Sequence, residues 1–202
     1  AFVCFCKIQN NSLGAIYHLC ENDPEAARKA IKRFSEFLRG NMESLKNRGP
    51  IAFASELNHV TNYLYLEQQR FGDKLQVIYQ IRTENFLIPP LTLQPLVENA
   101  VKHGISARSK GGRIVVRTWK QGQRLWISVA DTGEGIDEDK LEKIKRALKE
   151  GDGSGVGIGL GNIARRLKAM YEDGEVRIES RKGCATVVQL AFTPENCKED
   201  EP

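Results

Sequence analysis

The sequence predicts an α+β chain: a helical hairpin, then a piece of about 125 residues in which strands and helices mix. Three observations carry this. Apolar residues recur at helical spacing up to about position 72. Apolar and polar residues alternate, with the period of a strand, only beyond it. Pro89-Pro90 and clusters of glycine cut the second part into short elements.

In order, Asp23-Pro24-Glu25-Ala26-Ala27 has an Asp cap, a proline in the first turn and then strong helix formers. Ala27, Ile31, Phe34, Phe37 and Leu38 follow on one face. Asn47-Arg48-Gly49-Pro50 marks a loop. Ser55-Glu56 opens a second helix to about Arg70, with Leu57, Val60, Leu64 and Leu66 as its apolar contacts, and Phe71-Gly72-Asp73 stops it. The apolar stripes of this hairpin can pack against a second copy as a four-helix bundle, or on the chain's own sheet. Val77–Ile81 reads as a short strand and Leu91–His103 as a helix. Arg113–Trp119 and Leu125–Ala130 are strands joined by a turn at Lys120-Gln121-Gly122-Gln123. Asp137–Lys149 is an amphipathic helix running from acidic to basic. A glycine-rich loop spans Gly151–Gly161, Ile163–Tyr171 is helical, and Glu175–Ser180 and Ala185–Phe192 are the last strands.

The 202 residues carry 30 Lys plus Arg against 26 Asp plus Glu, a net charge of +4. So mild a surplus does not point to nucleic acid. With 41% hydrophobic and 28% charged residues the chain is neither disordered nor collagenous. No run approaches the roughly 18 apolar residues of a membrane span, and Ala1–Cys6 is too short for a signal peptide and lacks a basic start. Five irregularly placed cysteines suit reduced thiols in a cytosolic protein and form neither a disulfide framework nor a zinc pattern.

Three segments carry chemistry. In Glu98-Asn99-Ala100-Val101-Lys102-His103-Gly104, Asn99 and His103 lie one helical turn apart, as do Glu98 and Lys102. An amide oxygen beside cationic donors suits a magnesium-bound polyphosphate, because magnesium keeps phosphate and water oxygens and needs few from the protein. The same spacing also occurs on ordinary helix surfaces. Asp131-Thr132-Gly133-Glu134-Gly135-Ile136 follows a strand and presents a fixed carboxylate beside a tight turn. That carboxylate suits the exocyclic amine of adenine, although Asp and Gly also dominate plain turns. Gly151–Asn162 holds six glycines in eleven residues, threaded with Val156, Ile158 and Leu160, and runs into a helix. It reads as a phosphate-binding lid. No glycine precedes a lysine and no window fits GxGxxG, so neither a P-loop nor a dinucleotide fingerprint is present.

Taken in order, Leu93–Gly104, Asp131–Ile136 and Gly155–Leu160 resemble the N, G1 and G2 boxes of bacterial sensor histidine kinases. Leu-Gln-Pro-Leu-Val-Glu-Asn-Ala with Lys-His-Gly is similar to the LytS-type branch, over about residues 11–192. The resemblance implies a GHKL (Bergerat) α/β sandwich at 73–195, a mixed sheet packed on helices that holds Mg-ATP under a lid. It also implies a helical dimerisation and phosphotransfer region at 1–72, and it leaves a charged tail at 196–202. It assigns magnesium to Asn99 and the phosphates to Lys102 and His103. Asp131 and Thr186 would line the adenine pocket, with Gly133, Gly135 and Ile136 beside the base. Gly155, Gly157, Ile158, Gly159 and Leu160 would belong to the lid. Glu98 would be either a base or an orienting residue. The implied partners are a second copy through the N-terminal helices and a response-regulator receiver domain. The implied location is cytoplasmic, in a protein anchored in the inner membrane by segments upstream.

The pattern breaks at the phosphoacceptor. Asn11-Ser12-Leu13 matches the family's downstream half, but Cys6-Lys7-Ile8 stands where Pro-His-Phe is expected, so Lys7 takes the place of the histidine. A protonated lysine is a poor nucleophile toward phosphorus. His18 lies about 16 Å further along a helix at 1.5 Å per residue. His59 reads as a surface or dimer-core residue and His103 as a ligand contact. The function the resemblance implies is autophosphorylation of a histidine from Mg-ATP and relay to a response regulator. The alternative is a nucleotide-binding dimeric pseudokinase or fragment lacking the acceptor. Other GHKL ATPases, and Ser/Thr-directed anti-sigma kinases, fit the upstream hairpin less well.

Overall fold

The computed structural model describes the chain path over residues 2–46, 49–106, 108–150 and 158–194, and the side chains within 12–42, 49–106, 108–150 and 159–194. The element order is α1 (Phe2–Asn22), α2 (Pro24–Lys46), β1 (Ile51–Ala52), α3 (Phe53–Phe71), β2 (Leu75–Ile81), β3 (Leu87–Ile88), α4 (Leu93–Asn99), β4 (Gly112–Gln121), β5 (Arg124–Asp131), α5 (Glu138–Glu150), α6 (Ile158–Met170), β6 (Glu175–Arg181) and β7 (Ala185–Phe192). Between α4 and β4 the helix continues as a π-helical stretch, Ala100–Ile105.

Before residue 72 there are three helices, not a two-helix hairpin. The sequence marks the start of α2 correctly: the Ala26 N–H donates to Asp23 Oδ1 at 3.0 Å. Upstream, α1 has no acidic residue in its first turn to announce it. The predicted stripe of α2 divides in two. Ala27 and Phe37 are buried, with the Phe37 ring stacked on His59 (4.9 Å) and Tyr63 (5.8 Å) of α3. Ile31 is 49% exposed, as are Leu13 (52%) and Tyr17 (66%), one turn apart on α1. The chain thus packs one face of its helices internally and leaves a second, apolar face uncovered.

The sheet runs β2-β4-β5-β7-β6, with β2 parallel to β4 and every other pair antiparallel. Its inner face, including Ile114, Val116, Leu125, Ile127, Leu190 and Phe192, is fully buried. It forms one core with Leu93, Val97 and Ile105 around α4 and with Ile163 and Leu167 of α6. Each fully buried aliphatic side chain of this kind contributes about 1.5–3 kcal/mol. A small ladder that the sequence does not announce, Ile51↔Ile88 and Ala52↔Leu87, joins β1 to β3. It leads α3 away from the same strand pair, and Phe53 stacks on Phe86 at 4.6 Å. No described helix is long and apolar enough to cross a membrane.

Candidate functional site

A cavity of about 480 Å³ lies between the inner face of the sheet and the helices, within the span of small-molecule sites. The end of β5 supplies its acidic pole. Asp131 pairs across the ladder with Ile114 on one side and Thr186 on the other. It is 7% exposed, and its Oδ1 accepts the Gly133 N–H at 2.9 Å. Burial pushes its carboxyl up to about 6, against the pull of that single N–H.

The turn after Asp131 is fixed by close backbone approach. A Cβ on Gly104 would lie 2.5 Å from Asp131 Oδ1, and a Cβ on Gly133 would collide with the Gly104 Cα. Two glycines thus let the π-helical stretch and the turn touch over the carboxylate. Beyond them, Gly183 donates to the Glu134 carbonyl and Ile136 donates to Ser180 Oγ at 2.9 Å. Ser180 Oγ donates to the Ala185 carbonyl, so at 2.9 Å from Thr186 Oγ1 it must accept. The Thr186 hydroxyl proton is thereby used, and its oxygen remains an acceptor beside Asp131.

The opposite pole comes from α4 and its extension. Asn99 and His103 both line the cavity. The expected plain helix is here α-helical to Asn99 and then π-helical, with Ser106 N–H bonding Val101 O at 2.9 Å, five residues back. Such widened turns recur at functional sites. Burial, then the charges of Lys102 and Lys140, lower the proton affinity of His103 below the ordinary imidazole range. From the far wall, Gly159 and Leu160 of α6 face in, and a Cβ on Gly159 would come 3.9 Å from Asn99 Nδ2.

Of the residues read from the sequence, Asn99, His103, Asp131, Gly135, Ile136, Gly159, Leu160 and Thr186 line one cavity. Gly133 sits behind Asp131. Lys102 is exposed and does not line the cavity. Glu98 is turned toward the helical region: Gln94 Nε2 donates to Glu98 Oε1 at 2.8 Å and to Asn41 Oδ1 of α2 at 3.1 Å. Burial raises its carboxyl. Gly155, Gly157 and the side chain of Ile158 lie outside the described residues, as does the side chain of Lys7. Sequence reasoning missed Lys140, on the first turns of α5, and Ile144 on the same face. The acidic-to-basic patterning of α5 was the available signal.

The chain matches known families and proteins along most of its length. The family described as "Histidine kinase-, DNA gyrase B-, and HSP90-like ATPase" matches residues 90–196, and the family "Histidine kinase" matches residues 9–75. The sensor histidine kinase YpdA of Escherichia coli is 41% identical over 165 residues, which cover 81% of this chain and 28% of that protein. The sensor protein LytS of Staphylococcus haemolyticus is 36% identical over 193 residues, 94% of this chain and 32% of that protein. The chain thus spans about a third or less of these relatives. Among solved structures, the histidine kinase domain of Erythrobacter litoralis EL346 superposes with a TM-score of 0.52 at 16% identity, covering 94% of this chain and 93% of that one. The catalytic domain of histidine kinase ThkA does so with a TM-score of 0.51 at 18% identity, covering 72% and 98%. At these identities the structures show the shared fold.

Proposed function

The chain belongs to the histidine kinase family and carries its ATPase domain, and from that premise we propose that it is the catalytic core of a sensor kinase that binds Mg-ATP and passes its γ-phosphoryl group to a histidine. The observation that carries this is the convergence of Asn99, His103, Asp131, Gly159 and Thr186 on one cavity. Asp131 and the Thr186 oxygen form a pair of acceptors suited to an exocyclic amine with two hydrogens. The residues fit a nucleotide: a buried carboxylate at one end, an amide, an imidazole and Lys140 at the other, and the N-terminus of α6 facing the amide.

Bound Mg-ATP supplies an activated phosphoryl group and a divalent charge to steady it. The chain's own residues do the rest. Asp131 and Thr186 hold the base, Gly133 and Gly104 bring backbone close to it, and Asn99 offers one amide oxygen to magnesium. Lys140 offsets phosphate charge in the cavity, His103 offers an imidazole N–H, and Lys102, exposed on the same turn, adds to the positive charge around it. Gly159 and Leu160, at the start of α6, face the phosphates. Glu98 orients Asn99 through its bond to Gln94 and does not act as a base in the cavity. The exposed Leu13, Tyr17 and Ile31 pack against a second copy, and a receiver domain of a response regulator accepts the phosphoryl group. The full protein is held at a membrane by segments upstream, with this part in the cytoplasm.

Incubation with γ-labelled ATP tests the proposal. Acid-labile, base-stable label on the chain supports it. Nucleotide binding without label supports a nucleotide-binding dimer without an acceptor at position 7, and Lys7→His then restores labelling. Absence of any adenine-nucleotide binding overturns the reading.

A further inference from the structure

The N-terminus of α4 is capped by a residue 36 positions away. Thr92, at the N-cap, has no side-chain cap bond; its hydroxyl donates instead to the Pro89 carbonyl at 2.6 Å. The N–H groups that open α4 are taken by Glu56 of α3: Thr92 N–H lies 2.9 Å from Oε1 and 3.1 Å from Oε2, and Leu93 N–H lies 2.5 Å from Oε2. Glu56 is 3% exposed. A carboxylate buried this deeply is costly unless paired. Here it meets orphan helix N–H groups and the positive end of a helix dipole, and Arg166 of α6 adds a favourable charge.

Arg166 closes the arrangement. Its Nη2 donates to the Leu91 carbonyl at 2.7 Å. Leu91 itself has φ +58°, the one positive-φ residue other than glycine among the described residues. A leucine held there is strained and persists only where its surroundings over-determine it. The turn Pro89–Thr92 is therefore gripped from two sides, by α3 through Glu56 and by α6 through Arg166. Asn99 lies at the far end of the helix that this turn launches, and Gly159 and Leu160 lie at the start of the helix that carries Arg166.

We propose that Glu56 and Arg166 are positioning residues for the nucleotide site, which tie the magnesium-binding helix and the lid helix to the helical region through the strained turn at Leu91. The proposal rests on the nucleotide reading above and adds to it a route by which a shift of α3 reaches Asn99. If α3 moves, the cap on α4 is withdrawn and the helix loses its fixed start. Asp131 and Thr186, on the sheet, stay in place. The expected signature is thus selective: magnesium-dependent binding weakens while binding of the base does not.

The experiment measures the affinity of the whole chain for ADP without magnesium and for ATP with it, in Glu56→Gln and Arg166→Gln. The amide of the first presents a donor toward the α4 N–H groups. The second removes the guanidinium from the Leu91 carbonyl. Each is expected to lower the magnesium-dependent gain in affinity about tenfold, within the range usual for coupled sites, and to change magnesium-free ADP binding less than about twofold. Glu56→Asp, which keeps the charge, restores part of the gain. If Glu56→Gln does not fold, Arg166→Gln decides alone. Folded variants with an unchanged magnesium gain, or with both affinities lowered equally, overturn the proposal. A wild-type chain that binds no adenine nucleotide overturns the reading of the site instead.

Discussion

Asp131→Asn should stabilise the ligand-free chain while disabling it. In the folded chain burial lifts the Asp131 carboxyl from 3.8 to about 6, and a rise of about two pH units is worth about 3 kcal/mol at 1.36 kcal/mol each. The sign follows from which state binds the proton. Below pH 3.8 both states are protonated and nothing is lost. Between 3.8 and 6 the unfolded chain ionises first, so stability falls as pH rises. Above 6 both are ionised and the penalty is constant, at about 3 kcal/mol. An asparagine still accepts the Gly133 N–H and pays none of this. The stability gain of Asp131→Asn over wild type should therefore be larger at pH 8 than at pH 5 by about 1.4 kcal/mol. For a chain of this length that is about 4 °C in Tm. Denaturant melts of both proteins at the two pH values measure it. Isothermal titration should show ATP affinity lower by at least about tenfold, since an amide donor now faces an amine and a charge-assisted bond is gone. A gain that is equal at pH 5 and pH 8, or ATP affinity that survives the change, would refute the assignment of Asp131 as a buried, function-strained acceptor.

Two further outcomes follow from the same geometry. Gly104→Ala places a Cβ 2.5 Å from Asp131 Oδ1. Overpacking of that kind costs about 1–3 kcal/mol, so the variant should melt lower and bind ATP poorly, as followed by calorimetry and nucleotide fluorescence. His59 buries both ring nitrogens without a hydrogen bond of ordinary geometry; burial lowers its proton affinity and the neighbouring Gln94 only partly opposes this. Its contribution to stability is therefore lost as pH falls through the ordinary imidazole value of about 6.5. His59→Phe should raise stability by about 1 kcal/mol at pH 8 and by more at pH 5, as read from urea melts.

Local chemistry made most of the sheet and the site legible. Alternation marked β4 and β5, and along β4 buried positions do alternate with more exposed ones. The Asp131 turn announced itself through glycines whose backbone needs are unusual, while most of the glycine-rich loop lies outside the described residues. What stayed hidden depends on distant partners. Nothing local distinguishes Glu56 from any other acid in the first turn of a helix; its role exists only because α4 begins 36 residues later against it. The π-helical stretch reads as ordinary helix, since its wider turn is set by Gly104 meeting Gly133. Lys140 was legible as part of a basic-sided helix but not as a cavity residue, because only the tertiary fold turns α5 over the opening. Ile31 was assigned to a buried stripe, yet it is 49% exposed; periodicity reports which side of a helix is apolar, not what covers it.

The face between α3 and α4 is where these hidden residues gather. Glu56, His59 and Glu67 on α3 oppose Thr92, Gln94 and Glu98 on α4 or at its start. Burial raises the Glu67 carboxyl; Arg70, 2.7 Å away, partly opposes this, and the charge of Glu98 adds to it. A purely apolar seam would hold the two helices more firmly, since each buried polar group must recover its lost hydration through a specific partner. Such a seam is stable only in the register that satisfies those partners. A rotation of α3 that unpairs them would also withdraw Glu56 from the start of the helix that ends at Asn99. Discrete pairing of that kind is what a two-position element requires, which is why the proposal above sets the joint at Glu56 and Arg166 and not in the core of the sheet.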